Sequence, residues 1–455
     1  MFNNKRVHMI GIGGSSMSGI ALILKEKGCT ITGSDNRETY TTKALQEKGI
    51  KVTIGSSKED VEQADIVIYT AAIPKDFIEL ELAKKLNKEL YERAEFVGKL
   101  SLDYENVLCI SGTHGKSTTT GMVASCFLEA NLNPTIHIGA VLPRINSNSY
   151  VGDHQYFIVE ACEYVDSFLH FHPTGEIILN IDNDHLEYFK TIDNIKKSFN
   201  KFISLLPNDG KLVINNDDKP LEDLIIPENL NVLTYGINKN SNVMAKNISY
   251  HDGKPSFDVY YNDELFIHLN LNILGIHNVY NSLSCVALCI LYQVDKDAIK
   301  KGIESYTGVK RRFEKIGVYQ DTILVYDDYA HHPTELESVY NSVKTTNCNS
   351  NWMVFEPFTF SRTKESLHEF AQVLAKFDHI VLLPILGGRE VNTYDIDSQD
   401  IYDLVVKNNP NIYYAKDYSD AVKYLKENLK VHDLVVTSGC GHANEIGFML
   451  LGKNF

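Results

Sequence analysis

The feature that most narrows the fold is a pattern that recurs along the chain: an apolar run of strand length, then a glycine loop, then a segment of helix length. RVHMI (residues 6–10) runs into GIGGSSMSGIA, and NVLCI (106–110) runs into SGTHGKSTTT and the helix-like TTTGMVASCFLEA. Around residues 350–390 the apolar runs WMVF and HIVLLPIL continue it. Strands alternating with helix-length segments indicate α/β units on mainly parallel sheets. At 455 residues the chain is too long for one ordinary core, and about 100–200 residues per domain gives two to four domains. The first unit continues through CTITGSD and DIVIYTAAI and ends near residues 93–96. The second starts at Val107 and takes in a polar β-like stretch, residues 240–274, and the helix-like HNVYNSLSCVALCILY from His277. TGVKRRFE, residues 307–314, reads as a hinge, and a third α/β unit follows from about Ile316. The expected fold is α/β with three domains.

Composition removes several function classes. Lys and Arg number 44 against 59 Asp and Glu, a formal net charge of −15. Such a surface repels phosphate backbones and anionic lipids, so neither a nucleic-acid nor a membrane partner is expected. No run of about 18 apolar residues offers a membrane span. MFNNKRVHMIGIGG enters a strand at once and shows no cleavage site, which argues against a signal peptide. The eight cysteines are scattered without a CxxC pair, which reads as reduced cytosolic thiols and not as a disulfide frame or zinc site. A cytoplasmic, multi-domain enzyme is expected.

The strongest chemical signal is Gly112-Thr113-His114-Gly115-Lys116-Ser117 between a strand and a helix. Glycines let backbone N–H groups turn inward at a helix N-terminus, whose dipole favours an anion. Lys116 would reach the β/γ-phosphates and the Ser117 hydroxyl would ligate Mg²⁺, although only two residues separate the glycines, fewer than in GxxxxGK[ST]. We read it as an ATP loop. In GIGGSSMSGIA, Gly11 and Gly13 fit GxGxxG, Ser16 holds the third glycine position, and Asp35 ends the next strand, where a ribose-binding acid can sit. By itself this segment fits a nucleotide loop, an oxidoreductase's included, or an ordinary βα turn. VEACEYVDSF supplies Glu160, Glu163 and Asp166, and NIDNDH supplies Asp182, Asp184 and His185, all at strand ends. Singly these fit solvated loop acids and a structural histidine; beside an ATP loop they suit Mg²⁺ or Mn²⁺. DDYAHHPTE carries Asp327, Asp328, His331 and His332 without metal-ligand spacing, and Pro333 can start a helix. Arg311, Arg312 and Arg362 can grip phosphates or carboxylates bidentately, or pair with the abundant surface acids.

Taken in order, GIGGSSMSGIA, GSD, YTAAIP, RAEF, SGTHGKSTTT, EACEYVDSFL, NIDNDHLEYF, GIHNVYNSL, GVKRRFE, DDYAHHPTE and FEPFTFSRT resemble the Mur ligase family over nearly the whole chain. The resemblance implies a Rossmann-like UDP-sugar-binding domain (residues 1–99), a central P-loop ATPase domain on a mostly parallel sheet (100–309) and a Rossmann-like amino-acid-binding domain (310–455). It implies ATP and Mg²⁺, or Mn²⁺ in its place, as cofactors, and a monomer or weak homodimer. The implied reaction joins L-alanine to the lactyl carboxylate of UDP-N-acetylmuramate through an acyl phosphate, in peptidoglycan precursor synthesis. That moves the first glycine loop from NAD to a UDP-sugar.

By residue, the resemblance makes Gly112, Thr113, His114, Gly115 and Thr118 part of the ATP loop, with Lys116 on the γ-phosphate. Ser117, Glu160 and His185 become metal ligands. His277, Asn278 and Asn281 match the adenine and ribose segment, Arg312 the phosphate arginine, and Asp328 a ribose neighbour. Tyr329, His331 and Arg362 match the amino-acid side, with Arg362 on the incoming carboxylate; Lys116, Glu160, His185, His331 and Arg362 form the implied catalytic set. The UDP-sugar set is Gly11, Gly13, Gly14, Ser15, Ser16, Met17, Ser34, Asp35, Thr70, Ala71, Ala72 and Ile73. Three departures stand out. Ser16 replaces a usual glycine, Glu356 and Phe358 replace a usual Gln and His, and SGCGHANEIG (438–447) lacks the usual Asp. The alternatives are a sister amide ligase that adds another amino acid or a recycled murein tripeptide, and a catalytically silent nucleotide-binding paralogue.

Overall fold

The computed structural model describes residues 2, 4–71, 73–388 and 390–453, so Ala72 of the expected UDP-sugar set lies outside the described residues. The first sheet has β1 (Arg6–Ile10), β2 (Thr30–Asp35), β3 (Lys51–Ile54), β4 (Ile66–Tyr69) and β5 (Glu89–Glu92), in the order β3-β2-β1-β4-β5 and parallel throughout. The order reverses between β1 and β4, the switch point at which open α/β sheets bind ligands beyond their carboxyl ends. Val7, Met9 and Ile10 are buried, as in a strand covered on both faces. The helix Ser15–Glu26 follows β1 and buries Met17, Ile20, Ala21, Ile23 and Leu24.

The second sheet holds β6 (Asn106–Ser111), β7 (Thr135–Leu142), β8 (Ser147–Tyr150), β9 (Tyr156–Glu160), β10 (Gly175–Ile178), β11 (Lys211–Asn215), β12 (Asn231–Gly236), β13 (Val243–His251), β14 (Lys254–Tyr261) and β15 (Glu264–Asn270). Their order is β15-β14-β13-β12-β11-β10-β6-β9-β7-β8, so the polar stretch near residues 240–274 becomes one flank of the sheet. Central β6 pairs in parallel with β9 and β10, and β8 runs antiparallel to β7. One apolar core joins the first two sheets. Phe96 and Leu100 of helix Arg93–Ser101 belong to it with Val107, Phe157, Phe168, Phe199 and Phe202. Phe168 stacks on Phe202 with ring centroids 4.3 Å apart. Each such buried phenyl contributes about 1.5–3 kcal/mol. A Cβ at Gly98 would strike the His170 backbone, so that helix docks closely on the 164–170 turn.

The third sheet has β16 (Glu314–Tyr319), β17 (Ile323–Asp328), β18 (Asn351–Phe355), β19 (His379–Leu382), β20 (Ile412–Tyr414) and β21 (Leu434–Ser438), ordered β16-β17-β21-β18-β19-β20. Its strands are parallel except β16. The chain divides into two compact units. The first comprises residues 1–247, 257–269 and 280–306, and the second residues 248–256, 270–279 and 307–455. Among the described residues no helix is long and apolar enough to cross a membrane.

Candidate active site

In the first unit, β6 ends at Ser111 and the helix Lys116–Glu129 starts after four intervening residues, which leaves the glycine loop at the strand's carboxyl end. Gly112 and Gly115 take φ of +130° and +89°, which L side chains rarely adopt. A Cβ at Gly115 would also sit 2.7 Å from Asn281 Oδ1, so Asn281 lies against the loop. Thr113 N donates to Asn180 O (3.0 Å), His114 N to Asn180 Oδ1 (2.8 Å), and His114 Nε2 lies 3.1 Å from Asp182 Oδ2. Thr118 is half-buried in the first turn of the helix.

Lys116 Nζ donates to Gly112 O (2.6 Å) and Thr113 O (2.9 Å) and pairs with Glu163 at 3.0 Å. Its side chain is 13% exposed and that of Glu163 3%, so solvent screens the pair little. Burial opposes the ammonium charge, but the Glu163 carboxylate outweighs it and raises the Lys116 pKa. Sequence singled out Glu163 as an acid, but its role as counter-ion to Lys116 follows from the fold. Ser117 Oγ donates to both oxygens of Glu160, at 3.0 and 2.9 Å, and Glu160 Oε2 also accepts from Gly139 N at 2.8 Å. A hydroxyl in the first turn of the helix and a carboxylate at the end of β9 form a hard oxygen donor set, which suits Mg²⁺. The His185 ring packs against Tyr164 at a 33° tilt with centroids 4.4 Å apart, and its Nε2 lies 3.7 Å from Asp184 Oδ2. The structure therefore pairs Lys116 with Glu163 and Ser117 with Glu160, while His185 engages Tyr164 and Asp184.

The expected UDP-sugar residues that are described lie at the carboxyl ends of β1, β2 and β4. Gly11 has φ +79°, and a Cβ there would lie 2.7 Å from Thr70 Cγ2. Gly11 N donates to Ser34 O, Gly13 N to Asp35 Oδ2 (2.9 Å), and Ile73 N to Thr70 O. Gly14 precedes the helix, Met17 is buried, Ala71 is exposed, and Ser34 Oγ donates to the buried Glu79. Ser15 Oγ donates to Gly139 O at 2.6 Å. Gly139 thus links the first glycine loop to the Glu160–Ser117 pair, since its O accepts from Ser15 and its N–H binds Glu160. Ser16 finds a role in its hydroxyl, which lies 2.9 Å from His137 Nε2 and accepts from Arg93 at 3.4 Å. Burial and the nearby Arg93 charge push His137 down to about 3, so it stays neutral. Sequence reasoning missed His137 and Gly139, because neither lies in a glycine or acid motif.

In the second unit His277 and Asn278 open the helix Ile276–Leu291. Burial lowers His277 to about 4, and Asn278 Nδ2 donates to Leu274 O at 2.7 Å. Tyr329 lies beneath two guanidiniums, with Arg311 and Arg312 4.9 and 5.3 Å from its ring centre. Arg312 also pairs with Glu335 (3.4 Å) and Arg311 with Asp327 (3.2 Å). Asp328 accepts from Phe313 N and Ala330 N at 2.7 Å each, and burial raises it to about 6. His331 Nδ1 lies 2.9 Å from Tyr329 O, and its ring meets Phe358 edge-on. His332 instead caps the helix Pro333–Val343. Arg362 lies in the helix Phe360–Glu365, and its charge opposes the upward push of burial on Cys440. Two of the sequence departures meet here. The buried Glu356 accepts from Tyr418 Oη and from His442 N (3.0 Å), so it anchors the altered 438–447 loop.

Several of these segments hold non-glycine residues at positive φ: Val165 (+50°), Asp166 (+58°), His185 (+55°), Arg311 (+64°), Phe313 (+48°) and Thr359 (+64°).

Comparisons with known proteins agree along the chain. The model described as "Mur ligase family, catalytic domain" matches residues 6–105, "Mur ligase middle domain" residues 110–289, and "Mur ligase, glutamate ligase domain" residues 311–441. The UDP-N-acetylmuramate–L-alanine ligase of Caldicellulosiruptor bescii is 44% identical over 445 residues, covering 98% of each chain. The crystal structure of the UDP-N-acetylmuramate–alanine ligase of Thermotoga maritima superposes with a TM-score of 0.85 at 24% identity, over 99% of each chain. A murein peptide ligase from Psychrobacter arcticus gives 0.75 at 25%, over 99% of this chain and 98% of its own.

Proposed function

This chain belongs to the Mur ligase family, and from that premise we propose that it joins L-alanine to the lactyl carboxylate of UDP-N-acetylmuramate with ATP as the driving reactant. The observation that carries the reading is the Lys116–Glu163 and Ser117–Glu160 arrangement on the ATP loop, in a chain alike from end to end to L-alanine ligases. Residues 1–99 hold the UDP-sugar, with Gly11, Gly13 and the Ser15–Met17 turn at the diphosphate. Residues 100–309 hold ATP, and residues 310–455 receive the amino acid. The enzyme acts in the cytoplasm, where both nucleotide substrates are made.

Lys116 leaves its loop carbonyls and Glu163 for the γ-phosphate, which concentrates positive charge where the transferring phosphoryl group gathers negative charge. Ser117, Glu160 and His185 would hold the divalent cation, which when bound neutralises phosphate charge. The lactyl carboxylate attacks the γ-phosphorus, ADP leaves, and an acyl phosphate results. The amine of L-alanine then attacks the acyl carbon, and phosphate departs as the amide forms. Arg362 receives the amino acid's carboxylate, and Tyr329 and His331 lie on the same side. Positioned reactants make the second step effectively intramolecular.

The test is phosphate release from ATP with Mg²⁺ and UDP-N-acetylmuramate, with and without L-alanine, then with glycine, L-serine and the murein tripeptide. Release requiring both UDP-N-acetylmuramate and L-alanine, with stoichiometric amide, is the expected result. Release only with another amine would keep the mechanism and move the substrate. ATP binding without release for any amine would leave a silent paralogue.

A further inference from the structure

Behind the ATP loop the helix Lys116–Glu129 carries Cys126, and the helix Ile276–Leu291 carries Cys285 and Cys289 one turn apart on one face. All three are fully buried. Cys126 Sγ lies 3.7 Å from Cys285 Sγ, and the three sulfurs all fall within 4.8 Å of one another. Three sulfurs bound to one ion at about 2.3 Å lie about 3.5 Å apart when the ion sits above their plane and about 4 Å apart when it lies in it, so these thiols are already near that triangle. Gly302 lets a third helix close over the group, since a Cβ there would fall 2.6 Å from Cys126 Cα. Among the described residues no Asp, Glu or His shares the cluster. We infer that Cys126, Cys285 and Cys289 form a three-sulfur site for one trivalent thiophilic ion of the arsenic(III) class.

Charge selects that class. Three thiolates leave Zn²⁺ with a net charge of −1 and Cu⁺ with −2, and an unpaired charge is costly in an apolar interior. A trivalent ion gives a neutral complex. Structural zinc also takes four ligands, whereas a pyramidal trivalent ion is complete with three. Neighbouring thiol hydrogen bonds work against the upward push of burial on Cys126 and lower its pKa, while burial raises Cys285 and Cys289. Arsenous acid condenses with the three thiols, As(OH)₃ + 3 RSH → As(SR)₃ + 3 H₂O. Three As–O bonds break, three As–S bonds form, each thiol proton leaves in a water, and no atom changes oxidation state. Because the thiols are buried, entry needs local opening and binding is slow. Once bound, the ion ties the helix that begins at the ATP loop to its neighbour, so ligase turnover should fall as arsenic loads.

The test incubates the full-length reduced protein with arsenite and follows it by native mass spectrometry and arsenic X-ray absorption. The expected result is one arsenic gained and three hydrogens lost per chain, with the arsenic surrounded by three sulfurs and no oxygen. Cys162→Ser/Cys348→Ser/Cys440→Ser, which removes the three partly exposed thiols, should load equally. Cys289→Ser should weaken loading about a hundredfold, because one arm of the chelate is gone. Should Cys289→Ser not fold, proteolysis of the loaded wild type decides instead, with arsenic bridging the peptides that hold Cys126 and Cys285/Cys289. Failure of the wild type to load, loading abolished in the Cys162/Cys348/Cys440 variant, or an arsenic with oxygen in its shell would each overturn the assignment.

Discussion

Glu163→Gln tests how the Gly112–Lys116 loop, proposed to hold ATP, is held when no nucleotide is bound. The substitution keeps the shape and one acceptor but removes the charge 3.0 Å from Lys116 Nζ. Breaking a buried ion pair costs about 3–5 kcal/mol when the remaining charge is uncompensated. Lys116 retains the carbonyls of Gly112 and Thr113 at 2.6 and 2.9 Å, so the net cost falls to about 2 kcal/mol. That cost is confined to the nucleotide-free state if the γ-phosphate takes over as counter-ion. The variant should therefore bind ATP more tightly, by about 25-fold at about 1.4 kcal/mol per decade. Calorimetric titration with ATP gives the affinity. Hydrogen exchange over residues 106–130 gives the loop's stability, which should drop only without nucleotide. An unchanged or weaker ATP affinity with undiminished loop protection would refute the idea that Glu163 restrains Lys116.

Three further outcomes are expected. Lys116→Ala should abolish turnover and leave UDP-sugar binding by calorimetry nearly unchanged; parallel loss of both would point to unfolding or to a wrong division of roles. Arg362→Ala should raise the KM for the amino acid far more than it lowers kcat, and an unmoved KM would remove the residue from the carboxylate. Glu176 on β10 is buried with neither carboxylate oxygen hydrogen-bonded, and burial raises its pKa well above the usual range. Its folded form stays protonated while the unfolded chain ionises above about pH 4.3, so its stability contribution is complete below that pH. It then falls by about 1.4 kcal/mol per pH unit as pH climbs toward the raised folded value. Glu176→Gln should gain on the wild type between about pH 5 and 7 in urea unfolding, and parallel curves would count against this account.

The α/β class, the glycine turn between β6 and its helix, and strands such as β1, β4, β6, β18 and β19 were legible because each rests on short-range pattern, an apolar run near a glycine or helix-length segment. Gly112 and Gly115 mark themselves by the positive φ that only glycine tolerates well. Partnerships across the sequence were not legible. The Ser117–Glu160 bond spans 43 residues and the Ser16–His137 contact 121, and nothing local to either end announces the other. The same reason hides the three thiols. Cys285 and Cys289 share a helix face, but Cys126 joins them from a helix some 160 residues earlier, so scattered spacing in sequence becomes one cluster in space. Glu356 was visible as a departure from the family, but only the fold ties it to the altered 438–447 loop through His442 N.

The non-glycine residues at positive φ carry a consequence for anyone who breeds this enzyme for heat resistance. Val165, Arg311, Phe313 and Thr359 sit in the segments that bear Glu163, the paired arginines and Arg362. A β-branched or bulky residue there is strained by about 1–3 kcal/mol. Selection for thermal survival alone will find glycine or asparagine at these positions early, because each relaxes the backbone at no expense in packing. The variants it enriches will be sturdier proteins with slacker loops, and their turnover at moderate temperature will decline as their melting point climbs. A selection that preserves the catalyst has to look for stability in the sheets and leave these turns as they are.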